Sequence, residues 1–269
     1  MRAPEHLHVV TAGEGVPVVL LHGLTATHRY VVMGSRHLER SGHRVIAYDA
    51  RGHGASRPAP EPAAYGYGDL LADLLAVLDA QGVPRAVLAG ASMGAHTALK
   101  CAIEAPERVA GLVVVTPAYD PVAHGDAVSL ERWDALAAGL RSGGVEGFVQ
   151  AFGLHRVPEA WRETVGLVLR QRLSRHEHPE AVADALRAVP RSRPFETLHD
   201  IAALDGVPTV VVADRDEADP GHPLALGEEY AAVIPGATLV VEEEGRSPLA
   251  WQGGQLSRVI AALAARAAW

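Results

Sequence analysis

Short apolar runs alternate with amphipathic stretches along the first 118 residues. Val18-Val19-Leu20-Leu21, Arg44-Val45-Ile46-Ala47-Tyr48, Ala86-Val87-Leu88-Ala89 and residues 111–116 are short and mostly rich in β-branched or aliphatic side chains, so they predict buried strands. His8-Val9-Val10 adds a short edge strand. Pro17 stands at the first position of its run, where a missing N–H is tolerated. Between these runs, residues 28–40, 69–81 and 93–104 predict helices. In the second of them Leu70, Leu71, Leu74, Leu75 and Leu78 recur at three- and four-residue spacing and mark one buried face. Such alternation predicts an α/β fold with a doubly wound, mostly parallel sheet.

The pattern changes after Pro121. Up to about Ala203 no strand is expected, and helices are predicted at 130–140, 145–152, 159–173 and 179–189. Strand character resumes at 209–213 and 237–241, with a helix at 223–233 between them and an Ala/Leu-rich helix at 250–265. The expected organisation is one core domain, 1–120 and 204–269, interrupted by a helical cap at 121–203 placed to cover the strand ends.

Composition narrows the classes. At 269 residues and 48% hydrophobic, the chain is long enough to bury a large core. Its apolar runs are far too short to span a bilayer, and the segment Met1 to His6 has no apolar stretch of the kind a secretory signal needs. A single cysteine, Cys101, excludes an internal disulfide and a cysteine-based metal cluster, so a cytoplasmic location is expected. Net charge is −8 with no basic run, which argues against nucleic acid as a partner. Lys100, the only lysine, lies eight residues past Ser92; on a helix that is a rise of about 12 Å, too far for a serine–lysine dyad. No phosphate loop, dinucleotide fingerprint or metal-ligand spacing is present, so no cofactor is expected.

The chemistry concentrates at Gly90-Ala91-Ser92-Met93-Gly94, a serine between two glycines where a strand passes into a helix. The helix start offers unpaired backbone N–H groups, Met93 first among them, suited to holding an oxyanion. With Leu21-His22-Gly23-Leu24 after an earlier strand and Asp49-Ala50-Arg51-Gly52-His53-Gly54-Ala55-Ser56 after the next, the chain resembles the α/β-hydrolase fold superfamily, and within it small bacterial esterases and enol-lactonase-like hydrolases. The resemblance implies Ser92 as nucleophile, Leu24 and Met93 as the oxyanion-hole donors, and structural roles for His22 and the Asp49 loop. It implies Asp216 as the acid, since Asp216 and Pro220 keep the family's spacing; Asp219 is the nearest competitor. It also implies a small ester, lactone or carboxylic acid as ligand, and leaves a homodimer open.

One departure stands out. Where relatives read G-H-x-P, this chain reads Gly245-Arg246-Ser247-Pro248, and no histidine follows His222. A guanidinium stays protonated and has no acceptor nitrogen, so Arg246 cannot take the serine proton. Serine hydrolases that lose a triad member keep only about 10³–10⁴-fold catalysis over water. Four readings remain at this point. Another histidine could serve as base, His222 first and His155, His176, His178 or His199 from the cap next. Arg246 could pair with Asp216 and leave a catalytically degenerate small-molecule binding protein. Arg246 could stabilise negative charge during slow attack on a reactive ester or lactone. Or Arg246 is a substitution of histidine, one base away in the codon.

Overall fold

A computed structural model describes residues 4–215, 219 and 221–267. Its strands are β1 (Val9–Ala12), β2 (Val16–Leu21), β3 (His43–Tyr48), β4 (Ala86–Ala91), β5 (Val109–Val115), β6 (Thr209–Ala213) and β7 (Thr238–Val241). Its helices are α1 (His37–Arg40), α2 (Tyr67–Ala80), α3 (Met93–Glu104), α4 (Ala127–Phe152), α5 (Glu159–Leu173), α6 (Pro179–Ala188), α7 (Leu198–Ala202), α8 (Leu224–Val233) and α9 (Gly253–Ala264). The seven strands form one sheet in the order β1-β3-β2-β4-β5-β6-β7, with β1 antiparallel to β3 and every other pair parallel.

Both faces of this sheet are covered, which is why its strands read as continuous apolar runs. Val19, Leu21, Leu88, Leu112, Val114 and Val211 pack on one side against buried residues of α2, α3 and α8. Their neighbours Val18, Leu20, Val87, Ala89, Val113 and Val212 pack on the other against Leu38 of α1 and Leu256, Ile260 and Leu263 of α9. The strand order reverses between β2 and β4, so the loops leaving those two strands diverge and open a crevice at their carboxyl ends. Between β5 and β6 the described residues form helices joined by turns and loops, with no strand. Leu136, Phe148, Val165 and Leu169 from these helices join Leu24, Tyr67, Leu70 and Met93 in a further apolar cluster that lies over that crevice.

One predicted element differs from what forms. The helix expected at 28–40 is a 3₁₀ turn, His28–Tyr30, followed by the one-turn α1, because Met33 and Gly34 take positive φ values of 46° and 74° between them. The helices expected at 130–140 and 145–152 both form: the span α4 is two helices parted at Gly144, where φ is 57° and ψ −144°, and they fold back so closely that a Cβ on Gly139 would come within 2.5 Å of Gly147 O. No helix among the described residues is long and apolar enough to cross a membrane.

Candidate active site

Ser92 occupies the junction of β4 and α3 with φ 51° and ψ −113°, a conformation that costs a non-glycine residue about 1–3 kcal/mol. The surroundings hold it there. Its N–H donates to Val115 O at 2.9 Å, and its carbonyl accepts from His96 N at 3.0 Å. The flanking glycines are required by close approach: a Cβ on Gly90 would come within 2.2 Å of Gly94 O, and one on Gly94 within 2.2 Å of Leu21 O. Met93 opens α3, so its N–H is one of the amides with no intrahelical acceptor. His96, one turn later, is fixed and neutral. Its Nε2 accepts from Ala118 N and Tyr119 N at 3.1 and 3.2 Å, leaving Nδ1–H for Tyr67 Oη, and burial lowers its pKa to about 3.

The loop after β2 is equally determined. His22 Nε2 accepts from Ala50 N at 2.9 Å, so the ring proton sits on Nδ1 and reaches Gly23 O at 2.8 Å. Burial, helped by the neighbouring His53, lowers its pKa to about 3. His22 therefore shapes the loop that carries Leu24 and has no free nitrogen for proton transfer. Leu24 O receives His53 Nε2 at 2.8 Å, and Thr25 O receives the Nε2–H of His176 at 3.2 Å, while His176 Nδ1 accepts from Gly54 N. His176 is thereby committed to tying the helical segment to this loop. Asp49 accepts from His28 N, His28 Nδ1 and Ala55 N. Arg51 grips both carboxylate oxygens of Asp73.

These loops open into a cavity of about 310 Å³ lined by Ser92, His22, Leu24, Arg172, Asp219 and His222 among others, under Trp133, Phe148, Phe152 and Trp251. His22 and His222 are the histidines among its described lining residues, and His22 is spent. His155 and His199 are exposed, and neither they nor His178 lines the cavity. His222 Nδ1 lies 2.9 Å from Asp219 Oδ2, within ion-pair range but not aligned as a hydrogen bond. Burial by itself pulls the imidazole pKa down; the Asp219 charge, seconded by Asp214, outweighs it and leaves the value above the ordinary one. The Asp219 carboxyl, which burial would raise, is held below its usual value by His222 and Arg172.

Arg246 lies away from this cavity. Its side chain is 72% exposed, with Nε 3.5 Å from Glu243 Oε2, and it is absent from the cavity lining. The reason is solvation: a guanidinium beside the exposed Glu243 and Glu244 on a surface turn gains nothing by entering an apolar cavity. The same loop does reach the cavity, through Ala250 and Trp251, and the Trp251 ring meets Trp161 edge-on at 6.5 Å. Asp216 lies outside the described residues. Asp214, at the end of β6, is buried and accepts from Ala250 N at 3.1 Å; burial, with Glu242 nearby, raises its pKa to about 7. Only His8, His28 and Asp49 among the described residues bring ligand atoms within 4.8 Å of one another as a metal site would, and Asp49 is already taken up by N–H donors. Among the aromatic residues of the helical segment, Trp133, Phe148 and Phe152 line the cavity. Phe195 packs instead in the core against Tyr119 and Tyr230.

Residues 16–214 match the family described as alpha/beta hydrolase fold. A protein of Variovorax paradoxus named as a carbamate hydrolase, RutD, is 33% identical over 216 residues, covering 80% of this chain and 79% of its own. Among solved structures, a thermophilic esterase from Thermogutta terrifontis, with malate bound, superposes with a TM-score of 0.79 at 26% identity, over 97% of this chain and 93% of its own. Est816, described as an N-acyl homoserine lactone degrading enzyme, does so with 0.72 at 26% identity, over 96% and 95%.

Proposed function

The chain belongs to the alpha/beta hydrolase fold family, and on that premise we propose that it hydrolyses small esters or lactones through Ser92, with His222 as the base and Asp219 as its carboxylate partner. The observation that carries this reading is the pairing of His222 with Asp219 at 2.9 Å inside the cavity that Ser92 lines. The helices at 121–203 serve as the cap. In the first half-reaction Ser92 Oγ attacks the carbonyl carbon while its proton passes to His222 Nε2, Nδ1 being turned to Asp219. The developing oxyanion is met by the N–H groups of Leu24 and Met93. Collapse breaks the bond to the alkoxy group, which takes the proton from His222. Water then attacks the acyl-serine, again losing its proton to His222, and the acid departs as Ser92 recovers its hydrogen.

The raised pKa of His222 fits a base that must become imidazolium. Since the neutral ring is the competent form, kcat/KM falls on the acid side through a pKa above the ordinary imidazole value. The test is labelling by a fluorophosphonate together with turnover of p-nitrophenyl butyrate and a δ-lactone. Adduct on Ser92, with both activities lost in Ser92→Ala, is the expected result. One observation favours a second reading, a binding protein with feeble activity: Ser92 Oγ donates no hydrogen bond to any described residue. Absence of labelling and turnover, with binding of a small carboxylic acid retained, would establish that reading instead.

A further inference from the structure

The cavity around Ser92 is mainly apolar, yet among the described residues two arginines, Arg132 and Arg172, enter it against one carboxylate, Asp219. Asp219 already faces His222. Arg132 is exposed and sits 6.0 Å from the centre of the Phe152 ring. Arg172 is different. It comes from the last turn of α5, lies over the Tyr30 ring at 5.8 Å, and its buried Nε has no hydrogen-bond partner. Among the described residues it makes no ion pair; Asp219 and Asp214 act on it only through space, while burial disfavours its charge. The other arginines of these helices behave in the ordinary way. Arg170, two residues earlier, forks onto Glu146 at 2.7 Å, and Arg187 and Arg191 share Asp134.

Arg172 is half-buried with its Nε shut away from solvent, a position that disfavours an unpaired charge, and among the described residues no carboxylate pairs with it. The missing acceptor would have to come from a ligand. A planar carboxylate matches the two-pronged donor, and one arginine in an apolar chamber balances one negative charge, where a phosphate would ask for more donors. We propose that Arg172 anchors a free carboxylate on the substrate, so that the site takes small esters or lactones with an apolar body and one anionic end. This rests on the hydrolase reading for the bond that is cleaved, but not for the binding.

The experiment compares kcat/KM for monoethyl adipate and ethyl hexanoate in the parent, Arg172→Met and Arg172→Lys. The parent should favour the anionic ester by about tenfold or more, the scale of one charge-assisted hydrogen bond. Arg172→Met should bring the ratio to about one, mostly through KM, with Arg172→Lys between because it keeps the charge and loses the fork. A parallel calorimetric titration of monoethyl adipate into Ser92→Ala, with and without Arg172→Met, reads binding without chemistry. Affinity should fall about tenfold with the arginine gone, and glutarate should compete where inorganic phosphate does not. A ratio near one in the parent, a ratio unmoved in Arg172→Met, or stronger competition by phosphate overturns the assignment. Loss of turnover alone, with the binding difference intact, counts against the hydrolase reading and in favour of the carboxylate anchor.

Discussion

At the Ser92 end of the cavity, Ser92, Leu24 and Met93 sit on backbone held by β2, β4 and α3, and His22, His53, His96 and Asp49 around them are each hydrogen-bonded. At the opposite end, where β6 and β7 release their loops, buried atoms of Arg172, Asp214, His222 and Glu242 have no hydrogen-bond partner. The first region is a property of turns and close approaches, so the hydroxyl and the two amides to which the proposed reading gives the chemistry are fixed by the backbone. The second is assembled from side chains on separate loops. There, a histidine nine residues past one strand end can stand in for one expected past another. That is why the departure at Arg246 does not disable the site in the proposed reading.

The contrast can be broken at either end. His222→Gln should lower kcat for p-nitrophenyl butyrate by about 10²–10⁴-fold, the contribution of a general base, while leaving the fold intact by circular dichroism. Unchanged turnover would remove His222 from the chemistry. Gly94→Ala attacks the other end: a Cβ 2.2 Å from Leu21 O forces β2 and α3 apart, and a loss of about 3 kcal/mol or more in urea unfolding is expected.

Two smaller effects sharpen the comparison. Folding keeps Asp214 protonated up to about pH 7, whereas its unfolded carboxyl ionises near 3.8, so this group's contribution to stability declines as pH rises through that window. Asp214→Asn should flatten the decline and raise the melting temperature at pH 8 by a few degrees, at roughly 2–4 °C per kcal/mol. Arg246→His should change kcat/KM by less than about threefold, since position 246 faces solvent. A gain of orders of magnitude would return the base to that loop and sink the role given to His222.

Much of the nucleophile end was legible in the chain because its signals are local. A strand of four apolar residues, a glycine on each side of Ser92 and a helix start within one residue leave few ways to fold. The burial of both strand faces was likewise readable from runs without polar alternation. The helix expected at 28–40 failed because Met33 and Gly34 adopt a turn that periodicity does not register.

The sequence by itself determined the sheet, the strained serine turn and the absence of histidine after residue 222, because each depends on neighbours within a few residues. Which charged groups face the cavity was decided only in three dimensions. Arg246 turns to water among glutamates, while Arg172, Asp219 and His222 arrive from a helix and a distant loop. Burial, not spacing, sets whether a charge keeps its solvent or waits for a partner, and burial belongs to the assembled fold.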